Sequence, residues 1–314
     1  MLTLGAVHTG LVQHSGALPV DRAAELLDLV EGAAVVSVRR PMACTTSPEM
    51  LTGVDCDAPS STGRRVRVVG TIIGRVSVTG GRIAQSSVDT RLQRAAISTR
   101  LPWQIYLGRP GQLDAIGKVS APAVVDGYLR GGAGRSAVPH TSLDLDAVAM
   151  QLLDRVQRGD LLDRRPPLRA PRTTLRWSIM VDDRSSVDDR ASFTVGAGQA
   201  RSLEVTLGRH DPTAARLLCE DLALHDWLVT TVSSVVDDLA ATSWPPPVRV
   251  HRLNLLVEHL TRLWMPGARV PGSMSALAQE LDRQAGLTRQ WTACVQWIRD
   301  QLAAATAVQS LTKM

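Results

Sequence analysis

Apolar and polar residues alternate most clearly over Arg65–Val78, where Val66, Val68, Val76 and Val78 interleave with Arg67, Arg75 and Ser77. A strand turns successive side chains to opposite faces, so this stretch predicts a strand, and Thr79-Gly80-Gly81 turns it towards a second one at Arg82–Val88. Leu2–Val12 and Ala33–Val38 are further strand candidates. Between them Asp21 opens a short helix to about Val30, with Leu26, Leu27 and Val30 on one side. The Pro/Ser/Thr/Asp-rich stretch Met42–Thr62 reads as loop. Leu101–Ile116 and Asp144–Gln157 read as helices, separated by a flexible glycine-rich piece at Gly127–Ser136.

A basic, proline-bearing segment follows at Leu161–Trp177, carrying Arg164, Arg165, Arg169, Arg172 and Arg176. Its three prolines forbid a helix and favour an extended connector. Beyond it, Thr174–Val181, Ala191–Val195 and Ser202–Leu207 predict a three-stranded antiparallel meander. Asp211-Pro212 then starts a long helix, an N-cap acid followed by proline at the first helical position. Leu218, Leu222, His225, Val229, Val232, Val236 and Leu239 recur at spacings of three and four down to about Ala241. Trp244-Pro-Pro-Pro247 ends that helix; a second spans Arg249–Met265, a third Met274–Ala285, and Thr288 opens a last one bearing Trp291, Val295, Ile298 and Leu302.

The pattern as a whole predicts an α+β fold. A mixed N-terminal part with short strands covers 1–160, an Arg/Pro connector 161–176, and a small meander packed by four C-terminal helices 177–314. At 314 residues the chain is long enough for two cores, although the connector reads as a strap that docks the two parts together.

Composition narrows the chemistry. The chain has seven Trp, two Tyr and a single Phe, so aliphatic residues must fill its cores with Trp as the large anchors. Only Lys118 and Lys313 are lysine, leaving 33 of the 35 basic residues as Arg. Residues 1–176 hold 22 basic and 15 acidic side chains, net +7, and residues 177–314 hold 13 and 15, net −2. An excess so scattered argues against a dedicated nucleic-acid face, and no nucleic-acid motif accompanies it. No apolar run reaches the length of a membrane span and no basic stretch precedes an apolar core at the start, so the expected location is cytoplasmic. Cys44, Cys56, Cys219 and Cys294 are widely spaced and read as reduced thiols.

Most motifs for chemistry fail. Gly111–Ser120 resembles a phosphate loop but has one residue too many between its glycines and Val119 where a hydroxyl belongs. Gly131–Ser136 reads as a loop rather than an anion nest. The spacings of His8, His14, Cys44 and Cys56 match no zinc pattern, and His251 and His259 lie two turns apart. The acidic doublets Asp182-Asp183 and Asp188-Asp189 read as turn chemistry rather than a cation site. Neither a cofactor nor a metal is expected. The sharpest constellation is Asp221 and His225, one helical turn apart with His225 in the apolar stripe. They are either an acid/base pair or a core histidine satisfied by its neighbour, and the second reading is favoured.

The blocks Leu51–Asp55, Leu161–Arg165, Cys219–Leu228, Leu263–Val270 and Thr288–Trp291 resemble an actinobacterial, Streptomyces-type conserved protein family of unknown function, over nearly the whole chain. The resemblance implies a protein partner, with a methyltransferase-like neighbour as the candidate, and no site residue. The expected function is therefore a non-catalytic protein-interaction or scaffold component, with Trp264, Trp291 and Trp297 as surface anchors, Arg164, Arg165, Arg169 and Arg172 of the connector as further interaction candidates, and self-association as a further outcome. An enzyme using Asp221/His225 and nucleic-acid binding through the basic half are the alternatives.

Overall fold

The computed structural model describes residues 1–63, 65–118, 120–131, 142–181, 189–196, 199–208, 211–241 and 244–312. Among them, ten strands form one mixed sheet with helices on both faces, an α+β fold. The N-terminal strands are β1 (Leu2–Leu11), β2 (Val36–Val38), β3 (Cys44–Thr46), β4 (Met50–Ala58), β5 (Val66–Thr79), β6 (Ile83–Arg94) and β7 (Gln112–Ile116). Those after the connector are β8 (Thr173–Val181), β9 (Arg190–Val195) and β10 (Arg201–Leu207). The order across the sheet is β2-β3-β5-β7-β6-β1-β8-β10-β9, and β4 lies beside β5 on the same flank as β3.

Two features of this order depart from the sequence expectation. The strands after the connector are no meander: β10 returns parallel to β8, and β9 pairs antiparallel outside it. Nor does the connector divide the sheet, because β8 pairs along β1 while β6 flanks its other side. The connector is docked at several points. Arg164 N donates to Gln13 O at 2.9 Å, Asp163 accepts from Ser15 N at 2.9 Å, and Trp227 Nε1 donates to Pro171 O at 2.7 Å. Leu162 is buried and Leu168 packs on the core, while Arg164, Arg165, Arg169 and Arg172 are exposed.

The β5–β6 hairpin turns through the three residues Gly80–Arg82, with Gly80 and Gly81 both at positive φ and Arg82 N donating to Thr79 O at 3.0 Å. The two strands pair only near that turn, from Ile73↔Asp89 to Thr79↔Ile83, and then diverge. β7 fills the fork, antiparallel to β5 from Arg67 to Gly70 and parallel to β6 from Arg91 to Arg94. The stretch expected as one helix over Leu101–Ile116 is thus a short helix, α2 (Trp103–Leu107), followed by this inserted strand. Gly111 opens β7 as a turn against Ile73, which removes the phosphate-loop resemblance. The stretch expected as loop, Met42–Thr62, contains β3 and β4.

Side-chain parity assigns the two faces. On one, Leu2, Leu4 and Ala6 of β1 pack with Val88 and Ile72 under α3 (Ala121–Arg130) and α4 (Leu145–Gln157). The same face meets α1 (Val20–Leu26) through Val76, Val78 and Ala84. On the other, Val7, Leu11, Leu175, Trp177, Ile179, Leu203 and Val205 pack under α5 (Pro212–Ala241). With α5, α6 (Pro246–His259), α7 (Ser275–Ala285) and α8 (Leu287–Thr312) make the four C-terminal helices expected; α8 packs on α5, and α7 lies against β9, where Gln284 Nε2 donates to Ala191 O. Asp211 Oδ1 accepts from Thr213 N at 2.9 Å, so it caps α5 as read from the sequence. Arg201 of β10 forms a buried ion pair with Asp226 of α5, which fixes the helix over the sheet.

Candidate binding sites

α5 covers an apolar floor along half of the sheet. Beyond its edge the same face is polar yet still buried. Register pairs set Thr46, Ser77, Gln85 and Thr9 in one row across β3, β5, β6 and β1, with Arg75 and Ser87 in the next. Ser77, Gln85, Thr9, Arg75 and Ser87 are all under a tenth exposed. Over this floor lies a cavity of about 490 Å³, walled by Arg216 and Glu220 of α5, by Arg269 from the segment between α6 and α7, and by Glu49 and Ala33–Ala34.

An ion network occupies the floor. Arg75 Nε donates to Glu49 at 3.1 Å and Nη2 to Asp89 at 2.8 Å, while Nη1 stands 3.8 Å from Glu220. Glu220 accepts from Arg216 Nη1 at 3.1 Å and faces Arg269 Nη2 at 3.8 Å. Gln85 Nε2 donates to Thr9 Oγ1 and to the Glu220 carbonyl, and its Oε1 accepts from Arg269 at 3.3 Å. Three guanidinium groups thus meet the three carboxylates Glu49, Asp89 and Glu220, and buried charges persist only with such pairing. Burial raises the Asp89 carboxyl pKa against the pull of Arg75 and Arg216. Burial pulls Arg75 down, but Asp89, Glu220 and Glu49 outweigh it and the net shift is upward. Two donors are left over: Arg75 Nη1 and Ser87 Oγ are buried without a hydrogen-bond partner.

These residues were partly visible in the sequence. Arg75 and Ser77 alternate with Val76 and Val78, which the ordinary two-faced strand explains with the polar face in solvent. The signal that distinguishes this strand is that its partner, β6, repeats the pattern with Gln85, Ser87 and Asp89 in register. The burial of that shared polar face comes from α5 and the Arg269 segment that cover it.

Asp221 and His225 lie one residue further along α5, facing a different space. Met265 N donates to His225 Nε2 at 3.3 Å, so the ring proton is on Nδ1. Nδ1 donates to the Asp221 carbonyl at 2.8 Å and stands 3.3 Å from Asp221 Oδ2. Gly267 N donates to the same Oδ2 at 2.8 Å. Both ring nitrogens are therefore engaged, and the ring is 1% exposed. That is the bonding of a histidine that holds the Met265–Gly267 segment in place. Changing His225 to Ala is expected to cost about 1–3 kcal/mol, since it strands the Met265 amide and one Asp221 contact; urea unfolding measures it.

The expected tryptophan surface takes a different form. Trp264 meets the His225 ring edge-on at 5.1 Å and stacks on Trp291 at 4.5 Å, with Trp291 only 7% exposed. Trp297 is half-buried against the same core, so none of the three is an exposed anchor. Their aromatic spacing fitted core and interface equally well.

Neither Cys56 nor Cys219 is an activated nucleophile. Burial, then Asp57 and Asp55, push Cys56 up to about 11, and burial raises Cys219 well above its ordinary value. His8 contacts the Thr174 hydroxyl and is lowered by burial, His14 accepts from Gly16 N, and His259 is buried while His251 is exposed. Among the described residues no group of three or more His, Cys, Asp or Glu is placed to hold a metal ion. Asp182, Asp183, Asp188 and the loop from 132 to 136 lie outside the described residues. No helix among the described residues is long and apolar enough to cross a membrane. In comparisons with known proteins, no family model, curated protein or solved structure matches the chain.

Proposed function

We propose that this chain is a non-catalytic binding protein and that the polar cavity beside α5 receives an anionic group. The observation that carries the reading is a pair of donors on a buried floor with no hydrogen-bond partner: Ser87 Oγ, and Arg75 Nη1, which stands 3.8 Å from Glu220. A buried donor without an acceptor costs about 1–3 kcal/mol, and a carboxylate or phosphate oxygen between these two removes that cost. Arg269 and Arg216 close the cavity from above, so the anion meets guanidinium groups on two sides. The volume is within the range of small-molecule sites.

Isothermal titration calorimetry with inorganic phosphate, succinate and citrate tests the reading at low ionic strength. At least one of the three is expected to bind saturably. Ser87→Ala and Arg269→Gln should each weaken that binding roughly tenfold, or about 1.4 kcal/mol, with little change in melting temperature. No saturable heat from any of them, or full affinity in both variants, rejects it.

A protein partner remains a second reading, on a separate observation. β4 pairs with β5 alone along Met50–Ala58, its outer edge meeting only Ser142 at the far end among the described residues. Leu51 of β4 and Val36 and Val38 of β2 are exposed on that flank at 47%, 59% and 51%. An open strand edge of that length suits pairing with an extended segment of another protein. A photo-crosslinker at Leu51 should then capture a partner that one at the exposed Met150 does not. Equal capture from both positions counts against it.

A further inference from the structure

The second cavity, on the Asp221 side of α5, is opposite in character to the first. It holds about 330 Å³ between α5, the Pro266–Val270 segment and α7. Leu218, Leu222, Val270, Ala278, Leu281 and Leu287 supply its apolar lining. Its charged groups are two acids, Asp221 and Asp282, and no Arg or Lys lines it, in a chain with 35 basic residues. Ser275 and Gln279, both exposed, stand at its mouth.

Asp221 is 4% exposed. Its Oδ2 is held by the Gly267 amide and faces the His225 ring, whereas its Oδ1 is buried with no hydrogen-bond partner. No Arg or Lys pairs with Asp221 among the described ion pairs. A buried carboxylate is ordinarily matched by a cation, or by donors on both oxygens. Here one oxygen has no hydrogen-bond partner, on a residue that lines an apolar chamber with two acids and none of the protein's own arginines. Asp282 adds to that charge while its Oδ1 accepts from Thr288 N at 2.9 Å.

We infer that this cavity binds a small organic cation, an alkylammonium group whose N–H bonds Asp221 Oδ1 while its hydrocarbon body fills the space between Leu218, Leu222 and Leu281. The site is independent of the anion cavity: Glu220 and Asp221 are consecutive on α5, and a helix turns neighbouring residues to different sides. The ligand contributes the cation that the fold withholds. Gly267 holds Oδ2 in place, and because Oδ1 is itself buried, a small turn of the carboxylate brings it to the ligand N–H.

Titration calorimetry with n-hexylammonium, with n-hexanol as neutral isostere and hexanoate as the opposite charge, tests the inference. Intrinsic fluorescence is a second readout, since Trp264 lies against His225 at the cavity wall. Hexylammonium is expected to bind saturably and roughly tenfold or more tightly than hexanol, and hexanoate not at all. Asp221→Asn should remove most of that preference. Because that change also touches the Gly267 contact, Ala278→Phe provides the second variant: it fills the cavity from the half-buried face of α7 and should abolish binding at an unchanged fold. Ser87→Ala and Arg269→Gln should leave hexylammonium binding intact, which separates this site from the anion cavity. Equal affinity for hexanol and hexylammonium, full binding in Ala278→Phe, or no saturable binding up to millimolar concentration overturns the assignment.

Discussion

Replacing Gly70 by alanine is expected to destabilise the protein by about 4 kcal/mol, from backbone strain and overpacking acting together. Gly70 is the last residue of β5 that pairs with β7, opposite Leu113, where β5 parts from β6. Its φ of +152° lies in a region that side-chain-bearing residues rarely adopt. A Cβ there would stand 2.0 Å from the Gln112 carbonyl oxygen, a backbone atom that cannot turn aside. Relief requires β7 to back out of the fork, breaking pairing on both its sides. Gly63 supplies the control. It also has positive φ, at +70°, but nothing stands within 4 Å of an added Cβ, so Gly63→Ala should show the smaller backbone effect alone, about 1 kcal/mol. Chemical denaturation of the two variants measures the difference.

The second large effect belongs to the pair Gly5 and Trp177. Trp177 is fully buried, and the indole lies over Gly5 of the neighbouring strand, opposite which it pairs. A Cβ on Gly5 would fall 2.2 Å from Trp177 Cζ2. Trp177→Ala should cost about 3–5 kcal/mol by leaving a cavity under α5. Gly5→Ala alone should also destabilise, by about 1–3 kcal/mol, because the indole has nowhere to go. In the Trp177→Ala background the same Gly5→Ala change should be nearly neutral or favourable, since the methyl enters vacated space. A four-member denaturation cycle is therefore expected to give a coupling of about 1–3 kcal/mol; additive losses would show that the two positions do not share this packing.

The helical half of the molecule was written plainly in the sequence. Asp211-Pro212, the spacing of Leu218 to Leu239 and the stop at Trp244–Pro247 specify α5 locally, because capping and periodicity act within a few turns. β1, β5 and β6 were legible for the same reason, through period-two alternation. β4 was not. Its core-facing Val54, Cys56 and Ala58 alternate with Asp55 and Asp57, but the run is short and its Pro, Ser, Thr and Asp surroundings read as loop. β7 was hidden because its identity depends on the fork between β5 and β6, a tertiary circumstance. The parallel return of β10 to β8 depends on which neighbour completes the sheet, and turn residues do not encode it. At the binding sites the residue types of Asp221 and His225 were noticed but their partners Met265 and Gly267 were not, since backbone amides leave no trace in side-chain patterns. The polar chamber was missed because alternation separates two faces without saying whether the polar one is wet.

β1 lies between β6 and β8, yet it precedes both in the chain, β6 beginning at Ile83 and β8 only at Thr173. During synthesis on the ribosome this strand emerges with neither neighbour. One edge stays open until β6 has emerged, and the other until β8 has been made, about eighty residues later still. Long-range pairing of this kind closes slowly, and an unpaired apolar strand is exposed to wrong partners meanwhile. The ten-strand sheet is thus an assembly that the ribosome cannot finish piecemeal: cutting the gene at the connector would leave β1 on one fragment and its second edge partner on the other.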